Sequence, residues 1–114
     1  MNEIGEKINL EKAVCREMSI EEIHRVVAGS GQTRAGSWGL RNAGVTIKNK
    51  AYRFTVSGHH HKGHVHIVLN FMDTFDIYYT SNRGTIKKKD EGIYIMELIE
   101  TLDNAIERLD EYVR

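Results

Sequence analysis

The sequence has little that would restrain the chain covalently or hold it in a membrane. Its 114 residues include one cysteine, Cys15, and no proline. A single cysteine excludes an internal disulfide, and its helical apolar surroundings predict a small core residue rather than a reactive thiol. No run approaches the roughly 18 apolar residues that a membrane span needs, and the acidic start of the chain is unlike a secretion signal. We therefore expect a cytoplasmic protein with no membrane partner.

Length and composition predict one domain. A chain of 114 residues is long enough for one hydrophobic core and leaves little room for a second. The content of 40% hydrophobic and 28% charged residues is ordinary for a globular protein. We therefore interpret residues 1–114 as a single domain.

The net charge is zero, but the charges are unevenly distributed along the chain. Residues 23–89 hold eleven Lys and Arg against two acids, whereas residues 90–114 hold eight acids against two Arg. In one interpretation an acidic C-terminal helix and a basic sheet neutralise each other within the fold. In the other, the basic segment forms an anion-binding surface.

Hydrophobic periodicity divides the chain into helical, loop and strand segments. Ser19 followed by Glu22 is a capping-box pattern that predicts the start of a helix, and Gly29 predicts its end. The predicted segments are a helical part at 1–30, a glycine-rich loop at 29–44, a β-meander at 45–89 and a helix at 93–113. We expect an α+β fold in which an antiparallel β-meander of four to five strands carries the N-terminal helix and the long C-terminal helix on one face.

Five of the six histidines lie within eight positions, in a predicted hairpin whose residues 57–69 read SGHHHKGHVHIVL. Because strand side chains alternate between faces, the loop length decides which residues share a face. A two-residue loop at Lys62 and Gly63, or a four-residue loop in the same register, pairs apolar residues with apolar ones. It predicts the pairs His61 with His64, His59 with His66, Val56 with Leu69 and Phe54 with Phe71. Four histidines then share the face opposite the apolar residues.

The neighbouring strands are predicted by the same reasoning. A two-residue turn at Asn49 and Lys50 would pair Ile47 with Tyr52 and Val45 with Phe54. Residues 85–89 would return as a short edge strand in which Lys87 and Lys89 face away from Ile86.

The face opposite the helices gathers cations, imidazoles and one tyrosine. Its candidate nucleic-acid-binding residues are Lys48, Arg53, His59, His61, His64, His66, Tyr78, Lys87 and Lys89. Cations and protonated histidines would contact phosphates, and Tyr78 would stack on a base. This interpretation leads our expectations for function.

A helix, three antiparallel strands and a helix resemble the double-stranded-RNA-binding domain. In that family a histidine-bearing loop between the first two strands and a lysine cluster near the last helix contact RNA. The loop at 58–63 and the lysines at 87–89 fall in comparable places. The glycine-rich insertion and the acidic last helix depart from the family pattern.

The same histidines also suggest a metal site. His59, His61, His64 and His66 would lie on one face of adjacent strands, and zinc accepts imidazole ligands in tetrahedral sites. Zinc is therefore a possible cofactor; no other cofactor is expected.

Two further functions remain open. His59 and His66 could act as base and acid with Arg53 on a phosphorane, as in small ribonucleases. Gly58, His59 and His60 are similar to a segment of the HicA-type toxin ribonucleases, although this chain lacks the family's proline-containing strand motif. Alternatively, the acidic C-terminal helix or the glycine-rich loop would bind a protein partner, with an acidic surface imitating a nucleic-acid backbone.

Overall fold

The computed structural model is an α+β protein with a five-stranded antiparallel sheet and two helices. It describes residues 4–9, 19–29, 41–47, 50–57, 61–70 and 72–106. The strands follow chain order across the sheet, as the predicted meander requires. They are β1 Arg41–Ile47, β2 Ala51–Ser57, β3 Lys62–Leu69, β4 Phe75–Thr80 and β5 Ile86–Ile93. The helices are α1 Ile20–Gly29 and α2 Leu98–Ile106, the latter preceded by a 3-10 turn at Ile95–Glu97.

Both helices pack on one face of the sheet, which we call the first face. Alternate residues of β2, β3 and β4 and the apolar sides of the helices form one buried cluster. Phe54, Val65, Ile67 and Leu102 are among its members with no exposed surface. This cluster is the main core of the protein, and it confirms the predicted placement of the apolar alternation.

Helix α1 begins where the sequence predicts. The Ser19 hydroxyl accepts a hydrogen bond from the Glu22 backbone N–H at 3.3 Å, and the Ser19 carbonyl accepts one from Ile23 N–H at 3.1 Å. These bonds satisfy two N–H groups at the start of the helix, as an N-cap does. Within the residues described, no helix is long and apolar enough to cross a bilayer.

The predicted register of the β2–β3 hairpin is wrong. The predicted faces are right for the strand residues, but His61, predicted to share a face with His64 and His66, packs against Tyr79 of the first face. Phe54 pairs with Val65 rather than with Phe71, and a four-residue connection joins Ser57 to Lys62. The two registers differ by six residues, and an even shift leaves every side chain on the same face. Apolar alternation therefore could not distinguish them.

Gly63 favours the observed register. It lies within β3 opposite Val56, not at the loop tip, and its φ is +141°. A Cβ at this position would overlap the carbonyl oxygen of Thr80 in β4. Because β3 and β4 approach so closely here, only glycine fits.

Other predicted boundaries also need correction. Strand β1 begins at Arg41, inside the predicted loop at 29–44, and Val45 pairs with Tyr52 instead of Phe54. The predicted pairing assumed a regular ladder, whereas the β1–β2 register shifts between Val45 and Ile47.

Strand β5 extends to Ile93, where the prediction began a helix. An irregularity between the pairs Tyr79–Lys88 and Thr80–Ile86 changes the alternation of β5. As a result Lys89 and Ile86 share a face, contrary to the prediction. The described part of the C-terminal helix ends at Ile106, and the predicted continuation to 113 lies outside the described residues.

The start of the chain is not helical in its described part. Residues 4–9 run beside the beginning of β5, where Lys7 forms a β-bridge with Thr85. The Gly5 N–H donates to Ile86 O at 2.7 Å, and Ile86 N–H donates to Glu6 O at 2.8 Å. Pairing with the sheet satisfies these backbone groups in place of a helix. The predicted helical stretch at 10–18 lies outside the described residues.

Candidate functional site

The face of the sheet away from the helices, here the second face, carries one continuous row of predicted site residues. Cross-strand pairing joins Gly44 to Arg53, Arg53 to His66, His66 to Tyr78 and Tyr78 to Lys89. We call these five residues the central row. Neighbouring strands lie about 4.8 Å apart, so the three steps from Arg53 to Lys89 span roughly 14 Å. The observed register thus brings together four residues that the sequence singled out.

His66 lies at the middle of the row and is buried, with 4% of its surface exposed. Its Nε2 is 3.1 Å from the hydroxyl of Thr80, whereas its buried Nδ1 has no hydrogen-bond partner. Burial, assisted by the positive charges of His64 and Arg53, lowers the pKa of His66 to about 4. The imidazole is therefore neutral at pH 7.

Arg53 is the cross-strand neighbour of His66. It carries the second of the two buried nitrogens without a partner. Its Nε is buried and, among the residues that the structure describes, has no hydrogen-bond partner. In the part of the chain that the structure describes, the side-chain ion pairs are Lys88 with Asp90 and Lys89 with Glu91, so neither involves Arg53. Gly44 flanks Arg53 on the other side, and a Cβ there would meet nothing within 4 Å. The backbone next to Arg53 at Gly44 thus carries no side chain that would cover it.

His64 and two threonines form a neighbouring row, one step nearer the hairpin tip. Thr55 and Thr80 pair with His64 from the adjacent strands. His64 Nδ1 is 3.0 Å from the Thr55 hydroxyl, and the rings of His64 and His66 lie edge to face with centroids 6.1 Å apart. Two imidazoles and a guanidinium therefore lie close together on one face. Thr80 is not singled out by the sequence, because its place beside His64 and His66 depends on the β3–β4 pairing.

His61 lies apart from this group. It is 6% exposed, and the edge of its ring packs against Tyr79, a residue of the first face, with centroids 5.5 Å apart. Its Nε2–H donates to the carbonyl of His64 at 3.1 Å, and burial lowers its pKa. His61 therefore holds the end of the hairpin. The predicted pair of His61 with His64 is wrong, because His64 pairs with Thr55.

The expected exposed surface around Tyr78 is also wrong. Tyr78 is 4% exposed and belongs to a second buried cluster with Ala51, Val68 and Ile86. The Lys89 ammonium lies 5.0 Å from the centroid of its ring. The ring is therefore packed and covered rather than presented for base stacking. Burial also raises the pKa of the Tyr78 hydroxyl.

Asp76, an acid on the second face, forms hydrogen bonds near the β3–β4 turn. Asp76 pairs with Val68 on the second face, and its Oδ1 accepts hydrogen bonds from Asn70 Nδ2 at 3.0 Å and Gly92 N–H at 3.3 Å. The Asn70 side chain also caps the β3–β4 turn through the Met72 N–H. Asp76 thus stabilises the far end of the sheet.

Two predicted site residues, Lys48 and His59, lie outside the described residues, and Lys87 is exposed on β5. The predicted pair of His59 with His66 is wrong, because His66 pairs with Arg53. Within the described ranges, no three His, Cys, Asp or Glu side chains come together as a metal site would require. Since His59 is outside these ranges, the zinc site stays a prediction.

No protein-family model, curated protein or solved structure matches this chain. Its possible function must therefore be inferred from the side chains of the second face.

Proposed function

We propose that the protein binds a phosphate group of a nucleic-acid backbone at Arg53 and His66. The observation that carries this proposal is the pair of unpartnered buried nitrogens, Arg53 Nε and His66 Nδ1, on directly paired strands. Each buried polar group without a partner costs roughly 1–3 kcal/mol. Because both nitrogens are buried, a phosphate must first displace the groups that cover them. Phosphate oxygens that then accepted from these nitrogens would recover this cost.

The chemistry of the two nitrogens favours an anionic ligand. Arg53 Nε is always a donor. If the Thr80 hydroxyl donates to His66 Nε2, the neutral ring carries its proton on Nδ1, which then is a second donor. Two donors beside a fixed positive charge are the groups that commonly bind phosphate oxygens.

The distribution of charge supports a polyanion over a small phosphate compound. The segment that forms the sheet carries the excess of Lys and Arg, with Lys87 and Lys89 on β5. Lys89 lies roughly 14 Å from Arg53 along the row, given the spacing of strands. A second phosphate of the same strand would meet these lysines. Because Tyr78 is packed, we infer contact with the backbone rather than recognition of bases.

The experiment is a fluorescence-anisotropy titration of untagged protein against labelled single- and double-stranded RNA and DNA oligonucleotides. Contacts to two or three phosphates predict that affinity falls roughly sevenfold to fortyfold between about 50 and 200 mM salt. A chelator should change nothing, and intact oligonucleotide after the titration would exclude cleavage. A Kd that does not change with salt concentration would contradict the proposal.

The key variant is Arg53→Met, which keeps an apolar stem and removes the guanidinium. We expect it to weaken binding at least tenfold. The matched control is Arg83→Met, which removes the same charge from an exposed turn away from the row. Equal affinity of the two variants would mean that only net charge matters and that Arg53 is not the site.

A further inference from the structure

A small apolar groove lies at the end of β3 that is away from the tip of the β2–β3 hairpin. Its floor is formed by Ile23 of α1, Leu69 at the end of β3, Phe75 at the start of β4 and Ile95 of the 3-10 turn. We call it the terminal groove; its volume is about 270 Å³. The groove continues the surface of the main core, since Ile23 and Phe75 belong to that cluster.

The rim of the terminal groove exposes large apolar side chains. Tyr94 is 59% exposed and Met96 is 88% exposed, and both line the groove. Met72, which precedes the lining residue Asp73, is 83% exposed. Two of the four strongly exposed large hydrophobic residues among those described thus line this groove. Apolar surface concentrated around a groove is typical of a binding site, and methionine adapts its shape to a partner.

The charge of the groove has one sign. Glu22 and Asp73 line it, and neither Lys nor Arg is among its described lining residues. Both carboxylate-bearing residues are exposed. Glu97, which follows Met96, accepts a hydrogen bond from the Tyr94 N–H at 3.2 Å and so holds the rim turn in place. A cationic partner group therefore complements this end of the molecule.

The dimensions of the groove limit its occupant. Small-molecule sites usually measure about 300–1,000 Å³ and surround most of the ligand. At about 270 Å³ this groove lies just below that range and is open to solvent on its rim. It suits one bulky side chain of a longer ligand, of the kind that anchors a peptide in a hydrophobic groove.

We propose that the terminal groove binds a peptide segment of a partner protein, which inserts one bulky apolar side chain between Tyr94 and Met96 and places a Lys or Arg beside Glu22 and Asp73. This site is independent of the phosphate site. His66 of the phosphate site and Leu69 of the groove are three residues apart along β3, or roughly 10 Å at the rise of a strand. They also lie on opposite faces of the sheet, so the two sites can be tested separately.

The test uses amide NMR spectra of the full chain titrated with capped five-residue peptides. The panel has Leu, Phe, Met or Trp at the centre and either Lys and Arg or Glu at the flanks, with a glycine-centred peptide as the control. We expect basic, apolar-centred peptides to shift the Tyr94 and Met96 amides with millimolar or tighter Kd. The glycine-centred and acidic-flanked peptides should bind at least tenfold more weakly.

Two variants test the contacts. Glu22→Gln retains the shape of the side chain, and Met96→Ala removes an exposed anchor contact, so neither should affect folding. Each should weaken the best peptide at least threefold. The matched control for lost negative charge is Glu100→Gln on the exposed side of α2, which should leave the Kd unchanged.

Three outcomes would overturn the proposal. Equal binding of acidic and basic peptides would show that Glu22 and Asp73 do not select a basic residue. Shifts confined to other amides would show that the peptide binds outside the terminal groove. If no peptide shifts these amides at several millimolar, the groove has no such ligand. Sedimentation of the wild type and Met96→Asp adds a further check, because a dimer that the variant dissociates would show that a second copy covers the groove.

Discussion

The two faces of the sheet bury their side chains by different means. The first face buries apolar groups against two helices, and its polar atoms are few; the Tyr79 hydroxyl, for example, donates to Asp90 at 3.0 Å. The second face also buries most of its residues, but these include His66, Thr55 and Thr80. There two nitrogens, on Arg53 and His66, have no partner. Apolar packing explains most of the first face, whereas the second face carries two buried nitrogens without a partner among the described residues, which folding alone does not require.

The largest contrast between the faces is expected for neighbouring residues of β2. Phe54→Ala removes a fully buried ring from the main core and should lower the free energy of unfolding by about 3–5 kcal/mol. Thr55→Val, one residue away on the second face, loses only the hydrogen bond to His64 and should cost about 1 kcal/mol. Urea unfolding of both variants measures the difference. Equal losses would show that the second face is packed as critically as the first.

Acid should destabilise the protein through its buried histidines. The pKa of His66 is about 4 in the folded protein and near 6.5 when unfolded, so only the unfolded chain takes up a proton between these values. Stability is therefore unaffected above about pH 6.5 and falls as pH drops toward 4, by about 3 kcal/mol for this shift. His61, whose pKa is also lowered by burial, acts in the same direction.

The measurement is urea unfolding of the wild type and His66→Phe at intervals from pH 7 to pH 4. The variant cannot titrate at this position, so its loss of stability over the range should be smaller by about the amount assigned to His66. Parallel curves for the two proteins would contradict a neutral, buried His66.

The pairing of the second-face residues depends on the β2–β3 register, which the close approach of Gly63 to Thr80 favours. In Gly63→Ala the new Cβ would press on the Thr80 carbonyl, and the positive φ would be strained. We expect a loss of about 2 kcal/mol, the usual range for such backbone strain being 1–3 kcal/mol. Gly44→Ala is the matched control, because a Cβ there meets nothing within 4 Å and φ is not positive. A loss of the same size in both variants would mean that strand propensity, not the close approach, sets the cost.

The smallest expected effect concerns the end of the central row. Lys89→Gln removes the ammonium that lies over the Tyr78 ring, an interaction worth about 0.5–1 kcal/mol at a partly exposed site. Thermal unfolding at low and high salt measures it. A gain in stability would instead indicate that repulsion among the β5 lysines outweighs the contact with the ring.

Period-two alternation made the faces of β2 and β3 predictable. It placed Phe54 and Val65 in the core and His64 and His66 opposite, because alternation depends only on whether the loop is even. It could not fix the register, since Phe54 meets an apolar partner at either Val65 or Phe71. The deciding feature was the close approach of β4 at Gly63, which is a tertiary contact and has no signature in the local pattern.

Four of the five residues of the central row could be predicted from the sequence, but their surroundings could not. Arg53, His66, Tyr78 and Lys89 were all assigned to one face, and the observed pairing joins them. The burial of His66 and Tyr78 is not predicted, because the sequence indicates only one covered face. Ile8, from the segment beside β5, packs against the cluster that contains Tyr78. The start of the chain had been interpreted as helical, so its contact with the second face was not foreseen.

The most direct test of the phosphate site is the nitrogen NMR spectrum of the His66 ring during addition of single-stranded RNA at low salt. If RNA occupies the site, the Nδ1 resonance of His66 should shift until the site is saturated. The Kd fitted to this shift should equal the Kd measured by anisotropy. The shift should disappear in Arg53→Met. RNA binding that leaves both His66 ring nitrogens and the Arg53 Nε unmoved would contradict the account, because the nucleic acid would then contact another part of the surface.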